Sequence, residues 1–158
     1  MPEIREKLLI VDDDAGVATL IQRLGEQVGY AVDVIAESRE IEDAGRVGNA
    51  DVIVLDLQMP GLDGVQVLRV LAERKTKANI IIVSGADQRT RSGAELYGKQ
   101  RGLRIFATVA KPFFPEDFLQ TLRAARAVVA PLTLQDLERA IDENQLLVVY
   151  QPTIRRSD

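Results

Sequence analysis

One carboxylate in this chain directly follows an apolar run. Val52 to Leu55 are all apolar, Asp56 comes next, and a Pro-Gly pair begins four residues later. A carboxylate at the end of a buried strand is unfavourable unless a cation or hydrogen bonds compensate its charge. An aspartate held in this way can act as a nucleophile toward phosphorus. We therefore predict that Asp56 accepts a phosphoryl group.

Four further polar residues stand at the ends of other apolar runs and are the candidate partners of Asp56: Asp12, Asp13, Ser84 and Lys111. Three carboxylates close together repel one another, and a divalent cation with oxygen ligands removes that repulsion. We predict that Asp13 and Asp56 bind Mg²⁺ directly and that Asp12 acts through water. A backbone carbonyl after Asp56, most simply that of Gln58, is expected to complete the protein ligands.

Ser84 and Lys111 are the predicted catalytic partners of Asp56. The hydroxyl of Ser84 can hydrogen-bond a phosphoryl oxygen, and the ammonium of Lys111 can neutralise charge on Asp56 or on the phosphoryl group. The bond between Lys111 and Pro112 is a candidate cis peptide, because cis bonds occur almost only before proline. The alternative interpretations are an ordinary turn serine and a solvated loop lysine.

Helix capping is the alternative explanation for the acidic run. Asp13 or Asp14 could cap the first helix and interact favourably with its dipole. A pair of aspartates taken alone fits this role as well as it fits metal binding. The need of Asp56 for a cation favours the metal site.

The Pro-Gly pair at 60–61 and Asp63 are interpreted as structural residues of a turn that leads into the third helix.

The elements that must position these residues follow from the hydrophobic pattern. Five short apolar runs alternate with segments of helical period, and the runs occupy residues 8–11, 31–36, 52–55, 80–83 and 104–109. Ser38 is predicted to cap a second helix that ends near Gly48. This alternation predicts an α/β fold, a doubly wound five-stranded parallel sheet with helices on both faces. The site is then expected beyond the carboxyl ends of the strands.

Composition narrows the possible functions. The 158 residues contain no histidine and no cysteine and have a net charge of −4. Imidazole catalysis, histidine- or cysteine-ligated metal sites and disulfides are thereby excluded, and any metal must have oxygen ligands. The negative charge argues against binding of nucleic acid. Because the chain has no long apolar run and no secretory leader, we expect a cytoplasmic location without membrane association.

Four motifs resemble those of the receiver domain of two-component response regulators. They are Val-Asp-Asp-Asp at 11–14, Leu-Asp-Leu-Gln-Met-Pro-Gly-Leu-Asp-Gly at 55–64, Val-Ser-Gly at 83–85 and Ala-Lys-Pro-Phe at 110–113. The resemblance spans residues 8–129 and implies a flavodoxin-like sheet with strand order 2-1-3-4-5. It also implies that a sensor histidine kinase donates a phosphoryl group to Asp56, with Mg²⁺ at the three aspartates.

One position departs from the pattern of that family. Three residues before its lysine the family often has a switching aromatic residue, whereas this chain has Thr108. Phe106 is expected on the same strand face as Thr108, and its role in switching is left open. Receiver domains often form homodimers through helix four, strand five and helix five, and this chain is a candidate for the same contact.

A change of composition at Pro131 divides the chain into a receiver-like unit, residues 1–130, and a tail, residues 131–158. The tail is expected to begin as a C-terminal helical extension. Residues 137–152 resemble the opening of an EAL-type cyclic di-GMP phosphodiesterase domain. This implies that the receiver regulates such an output domain in cis, and that the chain itself catalyses only its own phosphorylation and dephosphorylation. The alternative is an amphipathic linker helix.

Three other functions compete with this interpretation. Aspartate-nucleophile phosphatases usually have a second aspartate two residues after the nucleophile, where this chain has Gln58. A flavodoxin-like FMN site is disfavoured because the aspartates at 12–14 would repel phosphate without a metal. A receiver-like module that binds partners and is never phosphorylated is disfavoured by the intact set of acids, hydroxyl and lysine, but it stays open.

Overall fold

Five strands form one parallel sheet in the computed structural model, which describes residues 5–42 and 44–129. The strands are β1 Lys7–Val11, β2 Ala31–Ile35, β3 Val52–Asp56, β4 Asn79–Ser84 and β5 Arg104–Ala110. Each agrees with its predicted run to within one residue at either end. Their spatial order is β2-β1-β3-β4-β5, which confirms the predicted α/β fold and the strand order 2-1-3-4-5.

Five α-helices lie in the described ranges: α1 Ala15–Val28, α2 Ala44–Gly48, α3 Gly64–Glu73, α4 Gln88–Gln100 and α5 Pro115–Val129. Aspartates cap three of them, because a carboxylate accepts hydrogen bonds from the free N–H groups of a first turn. Asp14 caps α1, Asp63 caps α3 and Asp87 caps α4. These three helices begin close to the ends of the strands that precede them, so the caps lie at the same edge of the sheet as the candidate site.

The sheet is covered on both faces, and all five residues of its central strand β3 are buried. The side chains of Ile53 and Leu55 pack in the core layer of α2, α3 and α4, whereas those of Val52 and Val54 pack in the layer of α1 and α5. Alternation along one strand thus supplies both layers of the core. Asp56 ends this strand, so its carboxylate lies at the carboxyl edge, formed by the C-terminal ends of the strands.

The second helix differs from its prediction. Instead of one helix between Ser38 and Gly48, a 3₁₀ helix at Ser38–Glu42 precedes the five-residue α2. Ile41 and Val47 are both buried, and both pack in the same core layer. Because they are six residues apart, one continuous α-helix would turn them in different directions. The break lets both side chains reach the sheet.

An irregularity in β5 places Phe106 differently from its prediction. The register between β4 and β5 shifts between Ile80 and Ile81, which leaves one extra residue in β5. Phe106 packs against the core layer of α1 and α5, whereas Thr108 contacts Glu95 of α4. The expectation that Phe106 and Thr108 share a strand face is therefore wrong, because an extra residue in one strand locally changes the alternation of side chains.

The predicted tail lies outside the described residues, and this includes the C-terminal helical extension, the boundary at 130 and the segment that resembles an EAL domain. Within the ranges that the structure describes, no helix has both the length and the apolar composition that a membrane crossing requires.

Candidate functional site

The carboxyl edge of the sheet brings three aspartates together. β1 ends at Val11, so Asp12 and Asp13 are free of strand alternation and both reach the crevice beside β3. Carboxylate oxygens of Asp12, Asp13 and Asp56, one from each residue, all lie within 4.8 Å of one another. Asp12 and Asp56 are only 1% and 4% exposed, while Asp13 is exposed to solvent. The cluster therefore combines two buried carboxylates with one that faces solvent.

Lys111 contacts both buried carboxylates. Its Nζ lies 2.8 Å from Asp12 Oδ2 and 3.2 Å from Asp56 Oδ2. The residue follows β5 directly, and its backbone N–H donates to the Ser84 carbonyl at 2.9 Å, which fixes where the side chain begins. The bond between Lys111 and Pro112 is cis, as the sequence indicated. One ammonium is thus shared between Asp12, which follows β1, and Asp56, which ends β3.

Backbone donors hold the other oxygens of the two buried carboxylates. The N–H of Asp14 donates to Asp12 Oδ1, and the N–H of Gln58 donates to Asp56 Oδ1, both at 2.9 Å. Each buried carboxylate therefore has one oxygen on the backbone and one on Lys111. Because both groups are fixed in orientation, the site is preorganised for a charged ligand.

The charges in the site do not balance. Burial raises the pKa of the Asp56 carboxyl above its ordinary value, and the charge of Asp12 adds to this, although the Gln58 N–H and Lys111 oppose it. Burial lowers the pKa of Lys111, but hydrogen bonds and charge interactions with Asp12 and Asp56 outweigh that effect and raise the pKa overall. Lys111 is therefore protonated at neutral pH, and one ammonium faces three carboxyl groups. The arrangement favours binding of a further cation.

A short antiparallel hairpin, Gln58–Met59 with Leu62–Asp63, follows Asp56 and leads into α3. The glycine of the Pro-Gly pair lies at its tip with φ of 79°, and the capping of α3 by the last residue of the hairpin confirms the predicted turn. Gly64 is required by close packing, because a Cβ there would lie 2.5 Å from the Cα of Leu57. The hairpin keeps the Gln58 peptide beside the aspartates, while its carbonyl as a metal ligand stays a prediction.

Ser84 lies at the same edge, and the backbone holds its hydroxyl. The residue is fully buried, and its Oγ accepts a hydrogen bond from the N–H of Ala86 at 3.1 Å. In the sheet, Ser84 stands one residue beyond the pairing partner of Asp56, and its own partner is Ala110. The sheet register therefore brings Ser84 to the level of Asp56 and Lys111. Its contact with a phosphoryl group stays a prediction.

Asp14 caps α1, and this resolves the alternative explanation of the acidic run. Its Oδ1 accepts hydrogen bonds from the N–H groups of Gly16 and Val17 at 2.9 and 3.1 Å. Capping thus accounts for one of the three consecutive aspartates. Asp12 and Asp13 have no part in this cap, and both belong to the cluster at the carboxyl edge.

Glu95 was not predicted from the sequence. It contacts Thr108, the residue that departs from the receiver pattern. The Thr108 hydroxyl donates to Glu95 Oε2 at 3.2 Å, and the other oxygen of Glu95 accepts from Lys99. The bond between Thr108 and Glu95 links β5 to α4, whereas the bond from Lys99 lies within α4. A glutamate four residues before a lysine is an ordinary surface pair on a helix, so the sequence contained no signal that separated Glu95 from other acids.

Comparison with known proteins identifies the family. Residues 8–123 match the family model described as the response regulator receiver domain. The chain belongs to this family. The receiver domain is 31% identical over 118 residues to the transcriptional regulatory protein ResD of Bacillus subtilis (strain 168), and the match covers 75% of the chain and 47% of ResD.

A second relative matches over a similar length of the chain. The chain is 33% identical over 120 residues to the uncharacterized transcriptional regulatory protein YkoG of Bacillus subtilis (strain 168), a match that covers 75% of the chain and 50% of YkoG. The receiver domain thus spans about half the length of the curated relatives it matches.

Solved structures agree with the assignment. A response regulator from Colwellia psychrerythraea is 30% identical, with a TM-score of 0.69 over 78% of this chain and 99% of that one. The receiver domain of the Francisella response regulator 1452 is 26% identical, with a TM-score of 0.65 over 80% of this chain and 100% of that one. The sheet and its helices therefore form the flavodoxin-like receiver fold.

Receiver domains bind Mg²⁺ at a cluster of aspartates, and the residues of this chain fit that ion. Mg²⁺ prefers oxygen ligands and usually binds one or two carboxylates together with waters. Asp13 is exposed to solvent, so its carboxylate is accessible to an ion, and Asp13 and Asp56 stay the predicted direct ligands. Asp12 is buried and contacts Lys111, and its role through water stays a prediction.

Proposed function

We propose that this receiver domain accepts a phosphoryl group on Asp56 in a reaction that depends on Mg²⁺. The proposal rests on one observation at the carboxyl edge. There, Lys111 contacts two carboxylates of the cluster formed by Asp12, Asp13 and Asp56. A backbone N–H holds Asp56 Oδ1, whereas Oδ2 has the longer, 3.2 Å contact with Lys111. Oδ2 is therefore the predicted attacking oxygen.

In the proposed reaction, a bond forms between Asp56 Oδ2 and phosphorus as the bond from phosphorus to the donor breaks, and an acyl phosphate results. Lys111 neutralises charge on the transferred oxygens, and the Ser84 hydroxyl hydrogen-bonds one of them. Mg²⁺ held by Asp13, Asp56 and the Gln58 carbonyl supplies further charge neutralisation when bound. By resemblance, the donor is the phosphohistidine of a sensor histidine kinase, whose imidazole is the leaving group.

Incubation with acetyl phosphate and Mg²⁺ tests this proposal. Intact-mass measurement is expected to show one added phosphoryl group, and peptide mapping is expected to locate it on Asp56. Asp56→Asn should abolish the addition, and chelation of Mg²⁺ should suppress it. Asp87→Asn is the matched control, because Asp87 caps α4 at the same edge and lies outside the cluster, so this variant should be phosphorylated like the parent chain.

Other outcomes of this experiment support the competing functions. If no donor adds a phosphoryl group, the chain is better described as a receiver-like module that binds partners without phosphorylation. Continuous turnover of a soluble phosphate ester would support the aspartate-nucleophile phosphatase instead.

Binding of Mg²⁺ is tested separately by thermal unfolding. A ligand that binds only the folded chain raises the midpoint of unfolding, so added Mg²⁺ should raise the midpoint of the parent chain. Asp13→Asn removes the exposed carboxylate of the cluster and should lose most of this rise. The variant should fold normally without the ion, because Asp13 is not buried. An unchanged rise would contradict Asp13 as a direct ligand.

We also propose that the receiver, residues 1–130, regulates an EAL-type phosphodiesterase domain that begins within residues 131–158. The resemblance of residues 137–152 to the opening of such domains supports this proposal. The test measures hydrolysis of cyclic di-GMP by the natural full-length protein. It compares the protein phosphorylated on Asp56 with the Asp56→Asn variant. Equal rates would contradict regulation by Asp56, and absence of hydrolysis would contradict the output domain.

A homodimer through α4, β5 and α5 is a further proposal from the resemblance. Leu96 of α4 supports it, because this large apolar side chain is 57% exposed. The molecular mass in solution should double when the chain is phosphorylated, and Leu96→Glu should prevent the increase. A mass that stays monomeric with and without acetyl phosphate would exclude this dimer.

A further inference from the structure

A cavity of about 510 Å³ lies at the amino edge of the sheet, where the strands begin. Four basic side chains line it: Arg74 and Lys75 from the end of α3, Lys77 from the segment before β4, and Arg104 from the start of β5. Asp51, directly before β3, is the carboxylate among the lining residues. Because β3 spans roughly 17 Å, this cavity is separate from the aspartate cluster at the opposite edge.

The positive charge of the cavity has little compensation inside the molecule. Among the described residues, no carboxylate forms an ion pair with Lys75, Lys77 or Arg104. Arg74 donates to backbone carbonyls, and Asp51 accepts a backbone N–H at 2.7 Å. The chain as a whole has a net charge of −4, so the basic lining is not a general property of its surface.

Lys75 has an unusual backbone conformation. Its φ of 52° is the one positive φ outside glycine in the described ranges. The residue follows Arg74, the C-cap of α3, at a position where glycine is common because a Cβ is strained in this conformation. A lysine there keeps a positive charge at the rim of the cavity despite the strain. Interaction of the ammonium with the end of the helix dipole is the competing explanation.

We infer that this cavity binds a small anion with two or more linked phosphate groups, such as a nucleoside diphosphate. Its size lies within the range of about 300–1,000 Å³ that holds small-molecule ligands. Charged nitrogens from three segments of the chain can contact several phosphate oxygens at once. The amide of Asn49 and the hydroxyl of Thr76 add hydrogen-bonding groups, and the partly exposed Ala50 adds an apolar contact.

Calorimetric titration of the chain with ADP, inorganic pyrophosphate and adenosine tests this inference. EDTA is included, so that no metal can bridge a phosphate to the aspartates, and the outcome does not depend on phosphorylation of Asp56. ADP is expected to bind with one-to-one stoichiometry at physiological ionic strength, and adenosine is expected not to bind. Equal affinity for pyrophosphate and ADP would assign recognition to the phosphates alone, whereas tighter binding of ADP would assign a nucleotide as the ligand.

Two double variants separate a built site from general charge attraction. Lys77→Gln with Arg104→Gln removes two charges from the cavity and should weaken ADP binding about tenfold or more, because charge-assisted hydrogen bonds are lost. Arg23→Gln with Arg89→Gln removes the same net charge from exposed positions on α1 and α4 and should leave the affinity unchanged. Equal weakening in both variants, or no binding of any phosphate by the parent chain, would refute the inference.

Lys75→Gly distinguishes the ligand role of Lys75 from a purely structural role. Glycine relieves the strained conformation and removes the ammonium. If the residue serves the cavity, the variant should have a higher midpoint of thermal unfolding and bind ADP more weakly. A variant with lower thermal stability and unchanged ADP affinity would show that the lysine serves the helix end.

Discussion

The two edges of the sheet both bury polar groups, but they differ in how the charges are compensated. At the carboxyl edge, Asp12 and Asp56 share the ammonium of Lys111, and Asp13 adds a third carboxylate beside them. Hydrogen bonds to the backbone orient the two buried acids, yet they do not remove the excess of negative charge.

On the side of the amino edge that faces α1 and α5, away from the basic cavity, the polar side chains have neutral or balanced partners. The hydroxyl of Tyr30 donates to the Leu122 carbonyl at 2.9 Å. Glu6 pairs with Arg126, whose Nε lies 2.9 Å from Glu6 Oε2 and which also donates to a backbone carbonyl of α1. These contacts tie the start of the sheet to α1 and α5.

The comparison shows that burial of a polar group alone does not indicate function. Structural ion pairs and catalytic groups both have shifted pKa values, so such shifts are only probabilistic signs of a site. An excess of like charge that the protein leaves uncompensated is the more specific observation, because such an excess lowers stability unless a ligand contributes the missing charge.

The largest effect that tests this comparison is expected from Lys111→Met. In the absence of Mg²⁺ the variant leaves two buried carboxylates without their shared ammonium, and the free energy of unfolding should fall by about 3 kcal/mol. Urea denaturation with and without Mg²⁺ measures the effect. Added Mg²⁺ should restore part of the loss, and a deficit that is independent of Mg²⁺ would contradict a cation site at the aspartates.

Arg126→Met is the counterpart at the amino edge and should have a smaller effect. The side chains of Arg126 and Glu6 are 37% and 21% exposed, so solvent weakens the pair, and the free energy of unfolding should fall by about 1 kcal/mol. Mg²⁺ should not change this deficit. If both variants responded alike to Mg²⁺, the distinction between the two edges would fail.

The carboxyl edge could be predicted from sequence because the ends of parallel strands meet at one edge. The apolar runs located the strand ends to within one residue, and the acids, hydroxyl and lysine stood at those ends. The direction in which individual side chains point was harder to predict from the sequence. A register shift in β5 decides where Phe106 points, and a break in the second helix lets Ile41 and Val47 share a core layer. Neither follows from a regular period.

The basic cavity at the amino edge could not be predicted from the same pattern. Its cations come from a helix end, a connecting segment and a strand start, and each is an ordinary surface residue in the sequence. Only the packing of α3 against the strands brings them to one concave surface. Their grouping therefore depends on long-range contacts that periodicity does not encode.

Tyr30→Phe is expected to have an effect no larger than that of Arg126→Met, and its effect depends on pH. At neutral pH the loss of the hydrogen bond to Leu122 should lower the free energy of unfolding by about 1 kcal/mol. Burial raises the pKa of Tyr30 above its ordinary value. Above pH of about 10 the unfolded chain therefore loses a proton that the folded chain retains, and the stability of the parent falls as pH rises.

Because phenylalanine cannot ionise, this part of the alkaline loss should be absent from Tyr30→Phe. The loss from one such group reaches about 1.4 kcal/mol one pH unit above the unfolded pKa, so the stability curves of parent and variant should cross near pH of about 11. Urea denaturation across the alkaline range measures the crossing. Tyr97→Phe, on α4, is the control and should retain the alkaline loss due to Tyr30. If the stability curves of parent and variant stayed parallel, the Tyr30 hydroxyl would have access to solvent. Its environment would then be less buried than the contact with Leu122 indicates.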